Sequence, residues 1–128
     1  MASEKRWPET PAEVAQATLD AIDADNRAFN MDVWVLFGPD RSHGMLVPED
    51  RPSQCGTTLC LAGFVAHATG WTIESFRRVT KGGVVRDMQS VATSELGIDY
   101  NTARHLFYTS EEEAYEGLKV IADGGQLP

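Results

Sequence analysis

Residues 53–71 read SQCGTTLCLAGFVAHATGW, and how that stretch folds decides the rest of the molecule. It holds both cysteines, Cys55 and Cys60, and one of three histidines, His67. From Thr57 to Thr69 the apolar residues Leu59, Leu61, Ala62, Phe64, Val65, Ala66 and Ala68 cover almost a full helical circumference. A helix apolar all round is a buried one. The spacing therefore predicts a central helix over Thr57–Thr69. Thr57 or Gly56 would cap it, and Gly70 would close it at the C′ position. Gly63 would let a neighbour approach closely.

Outward from that helix, Thr10-Pro11-Ala12-Glu13 is a capping box with proline at the first helical position. Ala15, Leu19, Ile22 and Phe29 then recur at helical spacing, which predicts an amphipathic helix over about residues 11–29. Val33–Phe37 reads as a strand or as a short helical turn packing Trp34, with His43–Val47 as a candidate second strand to pair back on it. Lys81-Gly82-Gly83, between β-branched residues, signals a hairpin. Asp87 caps a helix to Leu96 ended by Gly97. Asp99 caps Tyr100–Phe107, and Ser110 with Glu113 opens a last helix through Ala122. The fold class expected is α+β: one mainly helical domain over residues 1–128, about five helices around a buried central one, with one or two short β-hairpins. Residues 1–9 read as a loosely ordered tail.

The chain has 128 residues, 42% hydrophobic and 23% charged, a composition of globular domains. Its net charge of −8 opposes non-specific binding to DNA or anionic membrane. The charge is uneven. Residues 71–108 carry five basic and four acidic side chains, whereas residues 1–70 carry five and ten. No apolar run approaches the roughly 20 residues that span a bilayer. No membrane association is expected, and the location expected is cytoplasmic.

Three chemistries compete for the cysteines. Zinc needs ligands that converge, but Cys60 and His67 stand about 10.5 Å apart along a helix axis. The remaining set, Cys55, Cys60 and His43, is a weak alternative, so no metal and no cofactor are expected. A cysteine at a helix N-terminus can be a nucleophile. Gln54-Cys55-Gly56 has a papain-like look, and Asn101 and His105 sit at i, i+4 on one helix. However, the second cysteine is displaced and the chain is far shorter than such enzymes. A Cys55–Cys60 disulfide would need Cα atoms within about 7 Å. The preferred reading makes Cys55, Gly56, Thr57, Cys60, Ala62, Gly63 and Phe64 a packing motif, with no catalytic residue.

The run Cys55-Gly56-Thr57-x-x-Cys60-x-Ala62-Gly63-Phe64 follows Asn30-Met31-x-x-Trp34 and precedes Leu96-Gly97, Ala103, Leu106 and Phe107. This pattern resembles a group of small uncharacterised proteins of actinobacteria and their bacteriophages, over roughly residues 29–108. Phe64 stands where that group more often has tryptophan. The resemblance implies a phage-type (mycobacteriophage-type) accessory protein of the host cytoplasm. It carries no activity with it.

Residues 88–107 also resemble a helix-turn-helix, with Leu96-Gly97-Ile98-Asp99 as the turn. Asn101, Arg104 and His105 would read bases, and Arg77, Arg78, Lys81 and Arg86 would hold phosphates. Acids such as Asp20, Asp23, Glu111, Glu112 and Glu116 read as solvated faces, or else as a surface imitating nucleic acid. The three tryptophans read as core anchors. The function expected is binding of a host or phage protein without catalysis, with DNA binding through residues 88–107 as the alternative. A thiol or zinc site at Cys55 and Cys60 comes third.

Overall fold

The computed structural model describes residues 7–31, 35–36, 46–49, 57–74 and 78–125. The first helix, α1, spans Pro11–Ala24. Its start follows from the capping box. The Glu13 amide donates to Thr10 Oγ1 at 3.1 Å, and the Thr10 amide donates back to the Glu13 carboxylate at 3.2 Å. The helix is shorter than its periodicity predicts. It ends at Ala24, and Asn26–Ala28 form a separate 3-10 turn. That turn delivers Phe29 to the core by a different route, since Asn30 N donates to the Leu59 carbonyl at 2.9 Å.

The central helix is real but begins later than the sequence suggests. Thr58–Leu59 is a strand, β2, antiparallel to β1 at Val35–Leu36. Helix α2 spans Leu61–Ala68, with Cys60 at the N-cap making no side-chain capping bond. Neither Thr57 nor Gly56 therefore occupies the cap. Two consecutive threonines suit an extended, half-buried strand better than a helical first turn. The orphan amide of Leu61 points instead at Met31 Sδ, 3.4 Å away. At the other end the expected glycine closes the helix. Gly70 has φ 93°, and Trp71 N donates to the Ala66 carbonyl at 3.0 Å. A side chain at Gly70 would also stand 2.9 Å from the Trp7 ring. So Trp7, within the tail expected to be loose, packs on the end of α2.

Every residue from Leu61 to Ala66 is buried. Around α2 pack α1, the strands β2 and β3 (Thr72–Ile73), and α3 (Met88–Leu96). Phe64 is 1% exposed and meets Phe29 edge-on, with ring centroids 5.7 Å apart. Helix α4 (Tyr100–Phe107) buries only Ala103, Leu106 and Phe107. The last helix, α5 (Glu111–Ala122), lies along α1 and buries Ala114, Gly117, Leu118 and Ile121. The architecture is the expected α+β one, with five helices and two small antiparallel sheets among the described residues.

The three-stranded sheet has the order β3-β4-β5, with β4 at Arg78–Lys81 and β5 at Val84–Asp87. The predicted hairpin is present. Gly82 and Gly83, at φ 56° and 82°, form the two-residue turn that only a pair tolerant of positive φ makes cheaply. A second expectation fails. Of the segment 43–47, Leu46 bridges Ile73 and not Val35–Leu36, with reciprocal bonds of 2.8 and 2.9 Å. Val35–Leu36 takes Thr58–Leu59 instead, because that pairing docks the strand beside the buried start of α2.

Candidate functional site

The cysteine motif lies in the core as far as it is described. Thr57, Ala62 and Leu61 are fully buried, Gly63 is buried, Cys60 is 3% exposed and Phe64 1%. Cys55, Gly56 and His43 lie outside the described residues. His67, half-buried on α2, places Nε2 3.0 Å from the Val47 carbonyl. A carbonyl can only accept, so Nε2 carries the proton and donates. That nitrogen is committed to a backbone bond. Among the described residues no three histidine, cysteine or acidic side chains group closely enough to hold a metal ion.

The basic residues expected to hold phosphates are divided by the sheet. Antiparallel partners point to the same side. The register pairs Val79 with Arg86 and Lys81 with Val84, while Arg78 pairs with Asp87. Lys81 and Arg86 are thus on the face of buried Val79, and Arg78 is on the opposite one. Arg78 Nε lies 3.5 Å from the Glu74 carboxylate. Lys81 is tied inward. Its Nζ donates to the Thr69 carbonyl at 2.8 Å and lies 6.0 Å from the ring centroids of both Trp7 and Trp71. A cation there complements the C-terminus of α2 and two aromatic faces. The two tryptophans do flank a cation, but it is the chain's own. Arg77 lies outside the described residues.

What remains exposed is one side of α4. Asp99 starts the helix by accepting from Thr102 N at 2.7 Å. Bonds to the backbone and side chain of Thr102 hold the Asp99 carboxyl below its ordinary pKa. From there the residues at i, i+4 and i+8 are Tyr100, Arg104 and Tyr108, which fall on one ridge. Tyr100 is 68% exposed and Tyr108 63%. The Arg104 guanidinium stacks over the Tyr100 ring, 5.9 Å from its centroid, and no described carboxylate lies within ion-pair distance of it. The Tyr108 hydroxyl reaches across to Gln89 on α3 at 3.3 Å.

Between α3 and α4 this ridge borders an open cleft of about 1120 Å³. Polar side chains line it from both helices, Gln89, Ser90, Thr93 and Ser94 from α3 and Asn101, Arg104 and His105 from α4, beside the rings of Tyr100 and Tyr108. Asp87, which caps α3 through Ser90 N, closes one end. Asn101, Arg104 and His105, picked out by sequence, are therefore together and exposed. Tyr100 and Tyr108 were missed. Their four-residue spacing about Arg104 was the available signal.

The acids expected to be solvated are partly structural. The Tyr115 hydroxyl donates to Asp23 at 2.7 Å, joining α5 to α1. That bond stabilises the neutral phenol and raises the Tyr115 pKa. Glu111 accepts from the Met31 amide at 2.7 Å. A surface imitating nucleic acid needs these carboxylates free, and two of the residues named for it are engaged. Among the described residues no helix is long and apolar enough to cross a membrane. The chain matches no protein-family model, no curated protein and no solved structure.

Proposed function

We propose that the protein is a non-catalytic binding module of the phage-type accessory class, acting in the cytoplasm of a bacterial host. Its partner is another protein, held on the Tyr100–Arg104–Tyr108 ridge and in the cleft beside it. The observation that carries this reading is the ridge itself. Tyrosine and arginine are the residue types that dominate binding energy at protein interfaces. Here two tyrosines stand exposed in one row with an arginine that has no carboxylate partner among the described residues. The neighbouring cleft, of about 1120 Å³, is open to solvent. It suits a polypeptide segment bearing a carboxylate for Arg104 and apolar groups for the tyrosine faces.

The test is site-specific photo-crosslinking in an actinobacterial host, with p-benzoylphenylalanine replacing Tyr100. The reading predicts one defined protein adduct, lost when Arg104→Ala is added. Absence of any adduct that depends on Arg104 would refute it.

One observation favours DNA as the second reading. The short α3–α4 turn leaves Asn101 and Arg104 exposed on α4, where a recognition helix would present them. The divided basic residues and the −8 net charge weigh against it. A mobility shift at low salt that disappears with Arg104→Ala would establish it in place of protein binding.

A further inference from the structure

On the reading that the α4 ridge is the docking surface, we infer that the polypeptide segment held there is acidic, and that His105 tightens its capture as pH falls by adding a second positive charge beside Arg104. The two residues are neighbours in the last turn of α4, and both are exposed. They line the cleft against α3. With Tyr108 they also line a second cleft, of about 510 Å³, on the α5 side of the same helix. A segment lying across the ridge therefore meets both. Among the described residues neither side chain has an ion-pair partner, and the His105 ring makes no hydrogen bond.

The charged groups that face the pair are few, and each is engaged elsewhere. At the α3 end of the first cleft stands Asp87, whose carboxylate accepts from Ser90 N at 3.2 Å. In the second cleft stands Glu113 of α5, which accepts from the Thr109 hydroxyl at 3.0 Å. On α4 itself the remaining titratable groups are the hydroxyls of Tyr100 and Tyr108. The charge of Arg104, and that of His105 once protonated, thus stays without a counter-charge in the free protein. The uncharged wall adds donors. The Tyr108 hydroxyl takes up the side-chain oxygen of Gln89 at 3.3 Å, which leaves the N–H groups of that amide for the cleft. Such a set attracts an anion.

A nucleic-acid backbone would meet the same charge. The rest of the chain opposes it, at a net −8 and with Arg78 on the opposite sheet face from Lys81 and Arg86. A short acidic segment needs only the ridge. The direction of the pH effect follows from imidazole chemistry, since histidine ordinarily changes charge between about pH 5 and 8. Below that range the ring is a cation and both nitrogens donate, so it joins Arg104 in holding a carboxylate. Above it the ring is neutral and that attraction is lost. Binding therefore takes up a proton and weakens as pH rises. An exposed ion pair of this kind is worth about two- to fivefold in affinity.

The experiment pans a random dodecapeptide display library on the immobilised full chain at about pH 5.5, where imidazole is ordinarily charged. Selected peptides are synthesised with a rhodamine label. They are titrated by fluorescence anisotropy against the unaltered chain, Arg104→Ala and His105→Gln, at about pH 5.5 and about pH 8. The peptides should be rich in Asp and Glu, and Arg104→Ala should weaken them about tenfold. The unaltered chain should bind them about two- to fivefold more tightly at the lower pH. His105→Gln should bind at both pH values as the unaltered chain does at the higher one. Peptides without acidic enrichment, or a pH response that His105→Gln retains, overturn the inference and leave the ridge standing. Peptides indifferent to Arg104→Ala overturn the ridge as the docking surface, and failure to select any peptide overturns both. A labelled oligothymidylate should not bind; binding that is lost with Arg104→Ala would replace the acidic segment by nucleic acid.

Discussion

Replacing Phe64 by alanine should be among the most damaging single changes in the protein. The side chain is 1% exposed, sits in the first half of α2 and meets Phe29 edge-on at 5.7 Å. Truncating a buried phenylalanine costs about 3–5 kcal/mol, through lost transfer energy and the cavity left behind. An ordinary domain is stable by only about 5–15 kcal/mol, so about a fifth of the total or more would go. At this chain length that corresponds to a fall in melting temperature of roughly 10–20 °C. Urea unfolding followed by circular dichroism measures it, with Phe29→Ala and the double variant completing a cycle. The cycle should return a coupling of about 0.5–1.5 kcal/mol for the ring pair. A loss below about 1 kcal/mol for Phe64→Ala would refute the placement of α2 at the centre of the core. Phe64→Trp, the residue more usual in the resembling group, should cost about 1–3 kcal/mol here by overpacking.

Gly97→Ala should destabilise by about 1–2 kcal/mol from its φ of 65°, and further because the new Cβ would stand 2.8 Å from the Pro11 ring; chemical denaturation measures this. Asp99 has a lowered pKa, so its cap contributes above the ordinary carboxylate range and is lost as pH falls through the folded value. Asp99→Asn, which also caps, should flatten that part of the acid stability profile. Tyr115 has a raised pKa, so its bond to Asp23 contributes below the ordinary tyrosine range and is lost as pH rises through the folded value. Tyr115→Phe should lower stability at neutral pH and remove that alkaline loss in pH-dependent melting curves. In a Cys55→Ala background, Cys60, at 3% exposure, should react with a thiol reagent only at the rate of unfolding; prompt labelling of the native state would show that it is accessible.

Most of the helical frame was legible because its signals are local. Thr10, Asp87, Asp99 and Ser110 each cap the helix they were expected to cap, and Gly70 and Gly97 end theirs in the left-handed conformation. The glycine pair at 82–83 likewise specified its own turn. What failed depended on partners distant in sequence. Thr58–Leu59 is a strand because Val35–Leu36 lies beside it, and Leu46 pairs with Ile73 rather than with its nearer neighbours. Nothing within either segment states those choices. The candidate site divides the same way. Asn101 and Arg104, singled out by the likeness of residues 88–107 to a helix-turn-helix, do lie on the cleft side of α4. The separation of Arg78 from Lys81 and Arg86 follows only from strand register, and the role of Lys81 only from two tryptophans that meet around it.

The buried Cys60 at the start of α2 and the exposed α4 ridge make opposite claims on function, and one comparison separates them. Tagged chain, a Cys60→Ala variant and a Tyr100→Ala/Arg104→Ala/Tyr108→Ala variant, each shown to be folded, are used to capture partners from an actinobacterial host lysate. The ridge reading predicts a specific protein bound by the unaltered chain and by Cys60→Ala, and lost with the ridge variant. Retention of that protein by the ridge variant, or its loss with Cys60→Ala alone, would contradict it.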